Sequence, residues 1–151
     1  MKKFQFSLEK VLEVKEIEEK IIQKDLMTVQ REILDNENLI LEIQEKISQE
    51  RINLSIINHK GAGSAEIMIH YKYLDSLQKR IDLIKNELKS LYQKENLLKL
   101  ELTHKSQEKK SLERLKEIKF EEYKKDFNKS QQIILDEISI QNFRIRQESH
   151  K

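Results

Sequence analysis

Apolar residues recur along this chain at alternating steps of four and three, over two long stretches. The first runs Leu8, Leu12, Lys15, Glu19, Ile22, Leu26, Val29, Ile33, Asn36, Ile40, Ile43, Ile47, Glu50, Leu54, Ile57. The second runs Ile67, His70, Leu74, Leu77, Ile81, Ile84, Leu88, Leu91, Glu95, Leu98, Leu102, Lys105, Lys109, Leu112, Lys116. Eleven of the first fifteen positions and ten of the second fifteen are apolar. A repeat sustained this long predicts a coiled-coil seam rather than an ordinary surface helix. Between the stretches lies Gly61-Ala62-Gly63-Ser64, which holds both glycines of the chain and predicts a turn.

A turn there folds the second helix antiparallel onto the first. The register that pairs Leu12 with Leu112, Ile22 with Leu102, Leu26 with Leu98, Ile33 with Leu91, Ile40 with Ile84, Ile47 with Leu77 and Ile57 with Ile67 centres the turn on Ala62. A slip of one heptad in one direction leaves too few residues to turn; in the other it strands Ile67 outside the seam. The fold class expected is therefore all-α, a long two-helix antiparallel coiled-coil hairpin with its turn near 61–64. Arm 1 is expected over about 4–58, the turn over 59–65 and arm 2 over about 66–146. In this register Asn36 faces Leu88, Glu19 faces Lys105 and Phe4 faces Phe120. Polar seam residues of this kind set register at some cost in stability.

The arms are unequal. Residues 124–151 have no intramolecular partner and overhang, as a C-terminal helix extending beyond the N-terminal one. Near that point Leu112, Lys116, Phe120, Tyr123 and Phe127 include consecutive steps of four, a stutter that locally unwinds a supercoil. The overhang carries Ile133, Ile134, Leu135, Ile138, Ile140, Phe143 and Ile145, too apolar for a free tail.

Composition narrows the picture. With 151 residues, two Gly and no Pro, the chain lacks the turn formers of a sandwich, barrel or βαβ fold. Lys and Arg number 29 against 27 Asp and Glu, and the net charge of +2 gives no bulk field for nucleic acid or a membrane surface. Lys109-Lys110, Lys124-Lys125, Arg144 and Arg146 are interleaved with Glu113, Glu117, Glu121, Glu122 and Asp126, so no continuous basic stripe forms and no nucleic-acid partner is expected. No run approaches the roughly 20 apolar residues of a membrane span, so direct membrane insertion is not expected either. The absence of Cys excludes disulfides, zinc thiolates and thiol catalysis, and is compatible with a cytoplasmic location.

Candidate chemistry is sparse. His59, His70, His104 and His150 lack metal-ligand spacing and read as solvated or seam-edge side chains. The Gly-Ala-Gly-Ser turn has no following Lys and no preceding strand, so it is no phosphate loop. Two helices do not readily wall a pocket that excludes water. No enzymatic activity, cofactor or metal is expected.

Apolar residues off the seam point instead to protein docking or to widening of the core. Met27, Leu34 and Leu41 repeat every seven residues, Leu83 and Leu97 are similarly offset on the second arm, and Met68, Tyr71 and Tyr73 cluster around Leu74. Exposed Met and aromatic residues are enriched in the centres of interfaces.

Several stretches resemble the FliJ family of bacterial flagellar export proteins: Phe4-x-Phe6-x-Leu8-Glu9-x-Val11-Leu12, Tyr71-x-Tyr73-Leu74-x-x-Leu77, Leu112-Glu113-Arg114-Leu115-Lys116 through Tyr123, and Leu135-Asp136-Glu137-Ile138 with Phe143. Their order and spacing cover essentially the whole chain. They are similar in kind to the stalk proteins of injectisome secretion systems. The resemblance implies a non-catalytic stalk in flagellar type III export, and through it a part in motility and chemotaxis. The implied partners are a hexameric export ATPase, the cytoplasmic domain of the export-gate membrane protein, and export chaperones that the stalk recycles. The implied location is cytoplasmic, peripheral to the inner membrane at the flagellar base. Carried onto this sequence, the ATPase end comprises Phe4, Phe6, Phe120, Phe143, Arg144 and Arg146, and the gate-facing patch Met68, Tyr71, Tyr73 and Leu74. A generic coiled-coil scaffold or tether, pairing its off-seam stripes with further copies, is the alternative reading.

Overall fold

A computed structural model describes residues 2–150. It contains two helices, α1 (Glu9–His59) and α2 (Ser64–Glu148), and among the described residues no strand. They form an antiparallel hairpin in which α2 is the longer helix. Every position of the two fifteen-residue series is buried or half-buried except Leu8. Leu8 is instead the N-cap of α1: its carbonyl accepts from the Leu12 amide at 2.9 Å, and Glu9 follows in the first turn, where a carboxylate suits the helix dipole.

The start of α1 differs from the expected start near residue 4. Residues 2–6 are non-helical, and the Glu9 amide bonds the Phe6 carbonyl at 3.1 Å in a turn that leads into the helix. On a helix Phe4 and Phe6 would diverge by about 200° around the axis, so only one ring could reach α2. Leaving the helix allows both to pack. Phe4 lies on the rings of α2, and Phe6 falls to 9% exposure.

The connection between the helices is a Schellman closure. The Ala62 amide bonds the Ile57 carbonyl and the Gly61 amide the Asn58 carbonyl, each at 3.3 Å, while Gly61 takes φ +72°. Gly63 does different work. Its carbonyl accepts from Ile67 at 3.2 Å, which makes it the N-cap of α2, and its φ is not positive. Of the two glycines, only Gly61 occupies a conformation that other residues avoid.

Two compact units divide the chain. One comprises Lys20–Thr103, the other Met1–Glu19 with His104–Lys151. The first holds the continuous apolar core: Val29, Ile33, Ile43 and Ile47 of α1 meet Leu77, Ile81, Ile84, Leu88 and Leu91 of α2, with Ile43 at 1% exposure. At its margin the seam residues Glu50 and His70 pair, and the Tyr92 hydroxyl donates to Glu37.

In the second unit charge replaces much of the apolar seam. Glu19, which faces Lys105 in the register, also pairs with Lys109 at 3.4 Å, and Lys105 reaches Glu18 at 3.0 Å. Side chains lean toward their own helix's N-terminus, so in an antiparallel pair Glu19 and Lys109 converge across more than the level register. Leu12 and Phe6 are the buried apolar residues of this unit.

Candidate docking surfaces

The densest cluster of distinctive side chains lies in the unit that contains the N-terminal segment. Phe4 meets Phe120 edge-on at 5.1 Å between ring centroids and Tyr123 at 5.5 Å. Phe120 and Tyr123 stack at 6.4 Å, Tyr123 and Phe127 at 6.2 Å. Edge-to-face and offset stacks at these separations suit the ring quadrupoles and add to the area they bury. The Tyr123 hydroxyl donates to the Lys2 carbonyl at 2.9 Å, and the Lys124 ammonium sits 4.7 Å from the Phe120 centroid. Phe120 and Phe127 nevertheless keep exposed faces. Next to this ladder Phe4, Leu12 and Phe120 line an open groove rimmed by Glu16, Glu113 and Glu117.

A charged layer follows along α1 and α2. Lys15 binds Glu108 at 2.8 Å and Glu18 at 3.6 Å, His104 binds Glu108 at 2.9 Å, and Lys116 binds Glu9 at 2.8 Å. The hydrogen bond from Lys15 holds the Glu108 carboxyl below the usual carboxylate range, and the one from Lys105 does the same for Glu18. In return the hydrogen bond to Glu108 raises Lys15 above the ordinary lysine value. All these groups are partly solvated, so water screens the pairs.

Beyond the ladder, α2 continues with every residue from Gln131 to Glu148 exposed to solvent. Phe143, at 63% exposure, is there with Arg144 and Arg146. The sequence placed these three in one set with Phe4, Phe6 and Phe120. Phe4 and Phe120 do come together, while Phe6 is buried rather than offered to a partner. Phe143 lies about 34 Å further along α2 than Phe120, so the six residues do not make one patch.

In the other unit the residues after the turn are open. Met68, Tyr71 and Tyr73 are exposed, whereas Leu74 is half-buried against the core. Ile69 is among the most exposed large apolar residues of the chain at 67%. The sequence pattern did not single it out; its signal is an apolar residue beside Met68 at a position the seam skips. Met27, Leu34 and Leu41 line the face of α1 turned away from the seam, all exposed, so they do not widen the core.

Among the described residues no group of three or more His, Cys, Asp or Glu side chains is placed to hold a metal ion. Among the described residues, no helix is long and apolar enough to cross a membrane. The arrangement offers open grooves and uncovered helix faces, which suit contact with other proteins.

The family model described as "Flagellar FliJ protein" matches residues 4–148. No curated protein and no solved structure matches the chain.

Proposed function

Because the chain belongs to the FliJ family of flagellar proteins, and so to the flagellar export machinery, we propose that it is a non-catalytic stalk. In this reading it docks in a hexameric export ATPase and couples that ring to the cytoplasmic domain of the membrane export gate. It also hands export chaperones back for reuse, and works at the cytoplasmic face of the membrane beneath the flagellum.

The observation that carries the reading is the family match over nearly the whole chain, joined to an aromatic ladder that runs into an uncovered stretch of α2. A hexameric ring presents several quasi-equivalent surfaces to whatever occupies its centre. A helix end with apolar and basic groups on more than one side, such as Phe143, Arg144 and Arg146, can meet them in succession through weak contacts. Continuous backbone hydrogen bonding through α2 makes that end stiff enough to hold its position. The patch of Met68, Ile69, Tyr71 and Tyr73 belongs to the other unit and suits a second, separate contact with the gate.

Two double variants divide the reading into its parts. Phe143→Ala with Arg144→Ala is expected to abolish capture of the export ATPase and spare binding to the gate domain. Tyr71→Ala with Tyr73→Ala is expected to do the reverse. Equal loss of both activities in a variant of unchanged helicity would contradict the division of labour.

A further inference from the structure

The overhanging part of α2 continues the seam without a partner. After Tyr123, which Lys2 and Phe4 cover, the positions that follow the same stripe are Phe127, Gln131, Ile134, Ile138, Gln141 and Ile145. They recur at steps of four and three, and all are exposed. The seam spacing therefore persists where α1 no longer covers it.

We propose that the occupant of this stripe is the same stripe of a second copy, running antiparallel about a twofold axis beside Asp136. In that register Phe127 meets Ile145 of the second copy, Ile134 meets Ile138, and Gln131 meets Gln141. Each contact occurs twice, as an isologous interface requires. Apolar faces apolar throughout, and the two amides satisfy one another. Sliding by a heptad either way breaks this: one slip sets Gln131 against Ile134, the other Ile138 against Gln141. Either leaves a primary amide buried against an aliphatic side chain, without a hydrogen-bonding partner. A match of polar with polar and apolar with apolar in one register only is a specific property of this segment. A foreign helix would need no such self-complementarity.

The flanks agree with a pairing that forms and releases. On one side Leu135 meets its own copy next to the axis. On the other Glu137 meets its own copy, a like-charge contact that weakens the dimer. The interface is also bounded. Past the contact of Ile145 with Phe127, the stripe of the facing copy is already covered by its own N-terminal segment. The inference does not rest on the stalk reading. Phe143 lies off the paired stripe and off both flanks, so Phe143→Ala alone tests ATPase docking without touching the dimer.

The chain has no Cys, so single introduced thiols report geometry cleanly. Full-length Leu135→Cys is expected to be joined to itself by a short bismaleimide. Phe127→Cys alone and Ile145→Cys alone are not, because each lies about 27 Å along the axis from its own copy. A mixture of those two chains is expected to cross-link. Ile134→Glu with Ile138→Glu, with helicity unchanged by circular dichroism, is expected to abolish the dimer seen by sedimentation. Cross-linking of all three single-thiol chains with themselves would mean parallel pairing and overturn the proposal. A monomer at every concentration, with no cross-link in the mixture, would overturn it as well.

Discussion

The Tyr123 hydroxyl donates to the Lys2 carbonyl at 2.9 Å, tying the non-helical N-terminal segment to a residue far along α2. With Phe4 packed on the same ring, this bond sets where the cover of α2 ends. Tyr123→Phe keeps the ring stack and removes the bond. It is expected to cost about 0.5–1.5 kcal/mol and to speed amide exchange in residues 2–8 without altering exchange in the Lys20–Thr103 unit. Uniform acceleration through both units would show that the bond does more than anchor the segment.

The two glycines are expected to respond differently. Gly61→Ala places a Cβ at φ +72°, although no neighbour lies within 4 Å of it, so the penalty is conformational. It is expected to lower stability by about 1–2 kcal/mol. Gly63→Ser replaces one acceptable N-cap by a better one and is expected to raise stability by a few tenths of a kcal/mol. Denaturation midpoints of the two variants should move in opposite directions.

Acid should weaken the charged layer. Glu18 and Glu108 both have carboxyls held below their usual range by lysine hydrogen bonds. Their contribution is full above the unfolded-state value of about 4.3 and is lost as pH falls through the lowered native values. Lys15, raised by Glu108, contributes below its unfolded value of about 10.4 and loses that contribution as pH rises through the native one. Urea midpoints are expected to fall as pH drops below about 4.3. Lys15→Met with Lys105→Met should flatten that fall. An unchanged acid limb in the double variant would show that other carboxylates govern it.

The seam and its register were legible in the sequence because heptad spacing responds to one physical demand, the removal of a stripe from water. Ile43 and Ile84 sit where that spacing put them. Departures occur where another force acts. Leu8 stands at the N-cap, before the helical seam begins, and Phe4 packs on the rings of α2 while Phe6 is buried, both from a non-helical backbone. The Glu19–Lys109 pair was not legible, because side-chain lean is not visible in spacing. Met68, Tyr71 and Tyr73 were legible as apolar residues off the seam, whereas the set from Phe4 to Arg146 came from the family resemblance. Burial separated them afterwards, leaving Phe143 and Tyr71 exposed while Phe6 and Leu74 turned inward.

That same separation predicts how substitutions scale. Ile43→Ala, at the most buried position of the core, is expected to cost about 2–5 kcal/mol. Leu83→Ala, at 70% exposure, should stay within about 0.5 kcal/mol. Thermal melts followed by circular dichroism would check the contrast, and comparable losses would mean that the outward face is covered in solution.

Docking in the export ATPase is tested most directly by the mass distribution of that ATPase. Adding the purified chain to the cognate enzyme with nucleotide is expected to shift subunits into hexamers that carry one copy of the chain. The Phe143→Ala, Arg144→Ala variant is expected to leave the distribution unchanged. An unshifted distribution with the unsubstituted chain, at concentrations where it is folded and helical, would contradict the account.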